Sequence, residues 1–85
     1  MTKTDVLPRP DLVVDARGRC CPVPMAETAK ALLRVPVGGV VEIVATDSAS
    51  RFDIPVGVHR LGHELVATSA EAGVFRYLVR RCAGA

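Results

Sequence analysis

The sequence predicts a two-layer α/β sandwich, a four-stranded mixed sheet with two helices on one face, in the order β-α-β-α-β-β. Short apolar runs of strand length alternate with two segments of helical period. Gly and Pro punctuate the boundaries between them. The last two strand-like runs are separated only by a turn at Glu71-Ala72-Gly73, so they pair as an antiparallel hairpin. At 85 residues the chain has the length of one domain, and a 49% hydrophobic composition supplies a dense small core.

The elements follow in order. Residues 1–10 lack periodicity and include Pro8 and Pro10; they read as a flexible leader, with the domain spanning 11–82. The first strand is Leu12-Val13-Val14-Asp15, after which Gly18 turns the chain. A helix is expected from Pro22 to Arg34, where Met25, Ala29, Leu32 and Leu33 make an apolar stripe and Glu27, Lys30 and Arg34 lie opposite. Its acid comes early and its bases late, as the helix dipole prefers. Pro36 stops it and Gly38-Gly39 turns the chain again.

Val40 to Ala45 is apolar except for Glu42, the pattern of a central strand. A second helix lies within Ser50 to Leu61, where Ile54, Val58 and Leu61 keep helical spacing. Ser50 and Asp53 have capping-box spacing. Pro55 lacks the N–H that a helix interior uses, which leaves the regular start open between Ser50 and Pro55. Gly62 closes this helix, Glu64 to Thr68 reads as the third strand, and Val74 to Arg80 as the fourth.

Composition narrows the function. The net charge is only +2, and with no Trp, one Tyr and two Phe the chain lacks a platform for stacking bases, so no direct nucleic-acid ligand is expected. No apolar run approaches the ~18 residues of a membrane span, and no signal-like apolar segment follows the opening residues. Three cysteines, two of them adjacent, do not make a secreted disulfide framework; the reducing cytoplasm is the expected compartment. His59 and His63 are four apart, but Gly62 falls between them and no spaced cysteine pair completes a ligand set, so neither a metal nor an organic cofactor is expected. Arg51, Arg60, Arg76, Arg80 and Arg81 default to a solvated surface, and Cys82 to an incidental thiol in the tail.

The segment that carries chemistry runs from Asp15 to Pro24, Asp-Ala-Arg-Gly-Arg-Cys-Cys-Pro-Val-Pro. Proline suits the first helical position, which places Pro22 there and Cys21 at the N-cap. Pro24 stiffens the same turn. A thiol at a helix N-terminus is expected to ionise below its ordinary pKa, and Arg17 and Arg19 just upstream would add to the effect. A thiolate so placed can attack a persulfide, take its terminal sulfur and present it to an acceptor thiol. The bland alternative for Cys21 is a small buried hydrophobe.

Asp15, Gly18, Cys21, Pro22 and Pro24 together form an Asp-x-x-Gly-x-x-Cys-Pro-x-Pro segment, and in this the chain resembles the TusA/SirA family of sulfurtransferases. The likeness continues through Lys30-Ala31-Leu32, Ala45-Thr46-Asp47, Asp53-Ile54-Pro55, Gly62-His63-Glu64-Leu65 and the closing Phe75-Arg76-Tyr77-Leu78-Val79, covering about residues 11–81. It implies the β-α-β-α-β-β sandwich and a persulfide carried on Cys21. It also implies a cysteine desulfurase or rhodanese as sulfur donor and a downstream sulfur-relay protein as acceptor. In the family the sulfur goes to tRNA thiolation, molybdenum cofactor or sulfur-oxidation pathways.

One position departs from the pattern. The residue before the motif cysteine is commonly Arg in the family and is Cys20 here, an accessory thiol or a packed bystander. Two other functions compete with sulfur carriage: a non-catalytic interaction module, and a thiol redox switch using Cys20 and Cys21. If Arg17, Arg19 and Lys30 cluster near Cys21, they form a docking surface for an acidic partner.

Overall fold

The structure, a computed structural model, describes residues 8–83, so most of the expected leader lies outside it. The chain joins the sheet at Asp11, whose N–H donates to the Val40 carbonyl at 2.7 Å while its carboxylate accepts the Val40 N–H at 2.9 Å. The elements are β1 (Leu12–Ala16), α1 (Val23–Leu32), β2 (Val40–Ala45), α2 (Ser50–Arg60), β3 (Glu64–Glu71) and β4 (Val74–Arg80). The order across the sheet is β1-β2-β4-β3. β1 runs parallel to β2, and β4 is antiparallel to both of its neighbours. This is the mixed sheet the sequence predicts, with β2 inside it.

Strand alternation separates two faces. Val41, Ile43 and Ala45 of β2 and Tyr77 and Val79 of β4 pack with Ala31 and Leu32 of α1 and Ile54 and Val58 of α2. Glu42, Arg76 and Arg80 point to the other face, where Arg76 pairs with Glu42 at 3.2 Å and Arg80 with Glu64 at 2.8 Å. Ion pairs of this exposed kind add little stability, but they set charge among the apolar Val13, Val44 and Leu78 on the uncovered side of the sheet.

Three local expectations are corrected. The buried stripe of α1 is Pro24, Thr28, Ala31 and Leu32, about one position round from the expected one, and Leu33 is 74% exposed. Thr28 enters the core because its hydroxyl donates to the Pro24 carbonyl at 2.8 Å, so no polar group is left bare. Met25 sits instead against α2, where Gly57 leaves it room. The capping box of α2 does not form: Ala49 occupies the N-cap position without a side-chain bond, and Ser50 is buried with its hydroxyl 2.7 Å from that of Tyr77. α2 then runs unbroken through Pro55. β3 is three residues longer than its expected end at Thr68, because Ala72 (φ 53°) and Gly73 (φ 79°) make a tight two-residue turn that keeps Ser69, Ala70 and Glu71 paired to β4.

β1 and β2 are parallel and each is followed by a helix, so α1 and α2 both begin at the carboxyl end of the sheet. Open α/β sheets place their chemistry at that end.

Candidate functional site

The loop between β1 and α1 is held by the loop between β2 and α2. Gly18 adopts φ +78°, which favours glycine, and its N–H donates to Thr46 Oγ1 at 2.9 Å. The Cys21 N–H donates to Asp47 Oδ2 at 2.9 Å. These two bonds fix the expected motif residues Gly18 and Cys21 against Thr46 and Asp47, more than twenty residues along the chain.

Cys21 is exposed, as a handover thiol requires. It stands one residue earlier than expected, since the N-cap position of α1 is Pro22 and Pro24 is the second helical residue. Its Sγ donates a hydrogen bond to Asp53 Oδ2 at 2.6 Å, across to the first turns of α2. This contact overturns the expectation of a depressed thiol pKa. The Asp53 carboxylate, with smaller contributions from desolvation, Asp53 and Asp47 charge and the neighbouring Cys20, pushes the Cys21 thiol above its ordinary range. A carboxylate that accepts the S–H bond favours the neutral thiol and repels the thiolate. The helix start offers little in return. Pro22 and Pro24 carry no N–H, and the Val23 N–H is taken by the Cys20 carbonyl at 3.0 Å.

The three basic residues weighed as a docking surface have different surroundings. Arg17 folds back on Asp15, its Nε and Nη2 each 2.9 Å from one carboxylate oxygen and its backbone N–H at 3.1 Å. This fork holds the Asp15 carboxyl at about 2. Arg19 is exposed, and its backbone N–H closes the turn onto the Ala16 carbonyl. Lys30 sits in the last turn of α1 beside Glu27, about 10 Å along the axis from the helix start. The charges that reach the thiol are acidic instead. Cys20 is exposed beside Cys21 and is not disulfide-bonded.

The other arginines are dispersed. Arg76 and Arg80 lie on the open sheet face, Arg51 stacks 5.7 Å from the Phe75 ring, and Arg81 donates to the Val35 carbonyl at 2.6 Å. His59 is on α2, whereas His63 follows it and accepts the Cys82 N–H at 3.1 Å. Burial, with the Arg81 charge, lowers the His63 pKa. Among the described residues no three His, Cys, Asp or Glu side chains gather as metal ligands, and no helix is long and apolar enough to cross a membrane.

Sequence reading missed Asp53 as the partner of the sulfur and Asp47 as the anchor of its backbone. Both residues belong to segments the resemblance picks out, but a bond spanning 32 residues leaves no local spacing signal. Also unforeseen is an apolar strip beside the site. Pro22, Met25, Ala29, Gly57 and Leu61 line a shallow groove between the helices, and Phe52 and Val56 are exposed one turn apart on α2.

Comparison with known proteins gives the chain its family and its fold relatives. The profile of the family described as sulfurtransferase TusA matches residues 12–81. The chain is 46% identical over 70 residues to a protein of Archaeoglobus fulgidus, covering 82% of this chain and 96% of that one. It is 42% identical over 71 residues to the sulfur carrier protein TusA of Pseudomonas savastanoi pv. phaseolicola, covering 84% of each. A crystal structure of a SirA-like protein from Desulfitobacterium hafniense superposes with a TM-score of 0.74 at 25% identity, over 84% of this chain and 97% of that one. The matched span reaches from the first strand to the residue after the last and takes in both helices, so the chain belongs to the TusA family of sulfurtransferases.

Proposed function

We propose that the protein accepts a persulfide sulfur on Cys21 and relays it, in the cytoplasm, from a cysteine desulfurase or rhodanese to a downstream acceptor protein. The observation that carries the reading is the exposed Cys21 Sγ, with its backbone tied to Asp47 and the thiol tied to Asp53 at the carboxyl end of the sheet. Membership of a family whose relatives are named sulfur carriers supports it.

The reaction exchanges one S–S bond for another. Cys21 gives up its proton, its sulfur attacks the terminal sulfur of the donor persulfide, and the donor cysteine leaves as a thiolate that takes up a proton. Discharge repeats the exchange with the acceptor thiol as nucleophile. No net oxidation occurs, and sulfur alone changes hands. The free carrier rests as a thiol, so its intrinsic rate at neutral pH is limited by the thiolate fraction. The apolar strip beside Pro22, together with the exposed Phe52 and Val56 on α2, supports docking of a protein rather than a small charged donor.

Intact-protein mass spectrometry after incubation with a cysteine desulfurase and cysteine tests the reading. A carrier gains one sulfur, about 32 Da; Cys21→Ser abolishes the gain and Cys20→Ser keeps it. A loss of two protons needing both thiols would favour the redox switch instead. No mass change, with partner binding that survives Cys21→Ser, would favour the interaction module.

A further inference from the structure

The Cys21–Asp53 bond is available to one form of the carrier only. In the empty form, Sγ bears a hydrogen and donates it to Asp53 Oδ2. In the persulfide, Sγ is bonded to a second sulfur and has no hydrogen to donate. The terminal sulfur of a persulfide is acidic and anionic near neutrality, so it faces the same carboxylate as a like charge. Loading therefore loses an attraction and gains a repulsion at one contact.

We propose that Asp53 is a positioning residue that senses whether Cys21 is loaded, holding the empty thiol and opposing the persulfide, so that sulfur is biased outward to the acceptor. The inference rests on the carrier reading for its persulfide form. In discharge, the acceptor thiolate attacks the terminal sulfur. The Cys21 S–S bond breaks, its electron pair stays on Sγ, and a proton adds there and is shared with Asp53. A ligand state that one side chain prefers is favoured by the free energy of that preference, whatever the partner.

The surroundings agree with this role. The titratable groups facing the sulfur are Asp53 on α2, Asp47 in the β2–α2 loop and Cys20 on its own loop, and all of them disfavour an anion at Sγ. Arg17 is engaged by Asp15, Arg19 is exposed to solvent, and the charges acting on the thiol are Asp53, Asp47 and Cys20. Asp47 holds the Cys21 backbone N–H rather than the sulfur, which leaves Asp53 as the side chain in contact with the reacting atom.

The test equilibrates the full chain, carrying Cys20→Ser so that one motif sulfur is counted, with a fixed ratio of glutathione persulfide to glutathione. The loaded-to-empty ratio at Cys21 is read by mass spectrometry of its peptide. Asp53→Ala and Asp53→Asn should raise that ratio by about fivefold, the scale of one ordinary hydrogen bond. The midpoint of iodoacetamide alkylation against pH should fall toward the ordinary thiol range in both variants, a change that a merely structural role would not produce. An unchanged ratio in Asp53→Ala, with normal loading of the parent chain, would overturn the role of Asp53 alone. A parent chain that loads neither from glutathione persulfide nor from a cysteine desulfurase with cysteine would sink the carrier reading, and the alkylation midpoint would still decide whether Asp53 holds the thiol proton.

Discussion

The hydroxyls of Ser50 and Tyr77 share a hydrogen bond at 2.7 Å, with Ser50 1% exposed and Tyr77 3% exposed. Ser50 opens α2 and Tyr77 lies on β4, so this bond fixes the start of the helix on the sheet. Tyr77→Phe removes one partner and leaves a buried serine hydroxyl without one, a loss of about 1–3 kcal/mol. Ser50→Ala strands the phenol instead and regains a few tenths of a kcal/mol of helix propensity. The double variant removes both polar groups, so its loss should fall short of the sum of the singles by about 1–2 kcal/mol. In a domain of this size, about 2 kcal/mol corresponds to a Tm lower by roughly 8–16 °C. Urea unfolding followed by far-ultraviolet circular dichroism measures all four corners of the cycle. Strict additivity would show that the two hydroxyls do not depend on one another, and the account of how α2 is seated would fail. Asp53 is one turn beyond Ser50, so Tyr77→Phe should also lower the alkylation midpoint of Cys21.

Other outcomes follow from the same contacts. His63 has a folded pKa below its usual 6.5, so its neutral form is favoured by the fold; the stability it contributes is present above pH 6.5 and lost as pH falls through the folded value. Urea midpoints should drop between pH 7.5 and 5 by more in the parent chain than in His63→Gln, and equal drops would refute this. A Cβ on Gly57 would run into Met25 Sδ and stand 2.8 Å from its Cγ and 2.9 Å from its Cε. Those atoms are the far end of one flexible, partly buried side chain that can turn aside, so the ~1 kcal/mol that alanine gains in a helix should offset the repacking, and Gly57→Ala should be neutral or stabilising by up to about 1 kcal/mol. In a Met25→Ala background the same change should gain more than it does alone, as read by thermal melts.

The parts of the fold that were legible are those whose signals are local. β2 and β4 are bounded by Gly38-Gly39 and by the Ala72-Gly73 turn, and both strands fall where their apolar runs begin and end. Cys21 was legible as a candidate because two prolines and a glycine surround it. What escaped the sequence was decided by distant partners. Thr28 joins the core stripe because its hydroxyl finds the Pro24 carbonyl. Ser50 and Asp53 had the spacing of a cap, yet their side chains are engaged by Tyr77 and Cys21, 27 and 32 residues away. The ionisation of Cys21 was misjudged for the same reason: the helix start and the arginines are neighbours in sequence, whereas the carboxylate that dominates the sulfur arrives from the next helix.

β2 and β4 pair with Ala45 opposite Phe75 and Val40 opposite Arg80. Cys21, tied to Asp47 just past Ala45, and Cys82, just past Arg80, therefore lie at opposite poles of the molecule. Six strand residues separate those poles by about 17 Å, far beyond the roughly 7 Å between α-carbons that a disulfide can span. Oxidation cannot close Cys82 onto Cys21 within one molecule. A cross-link or a surface tether made through Cys82 grips the protein by its tail and leaves the Cys21 pole facing outward.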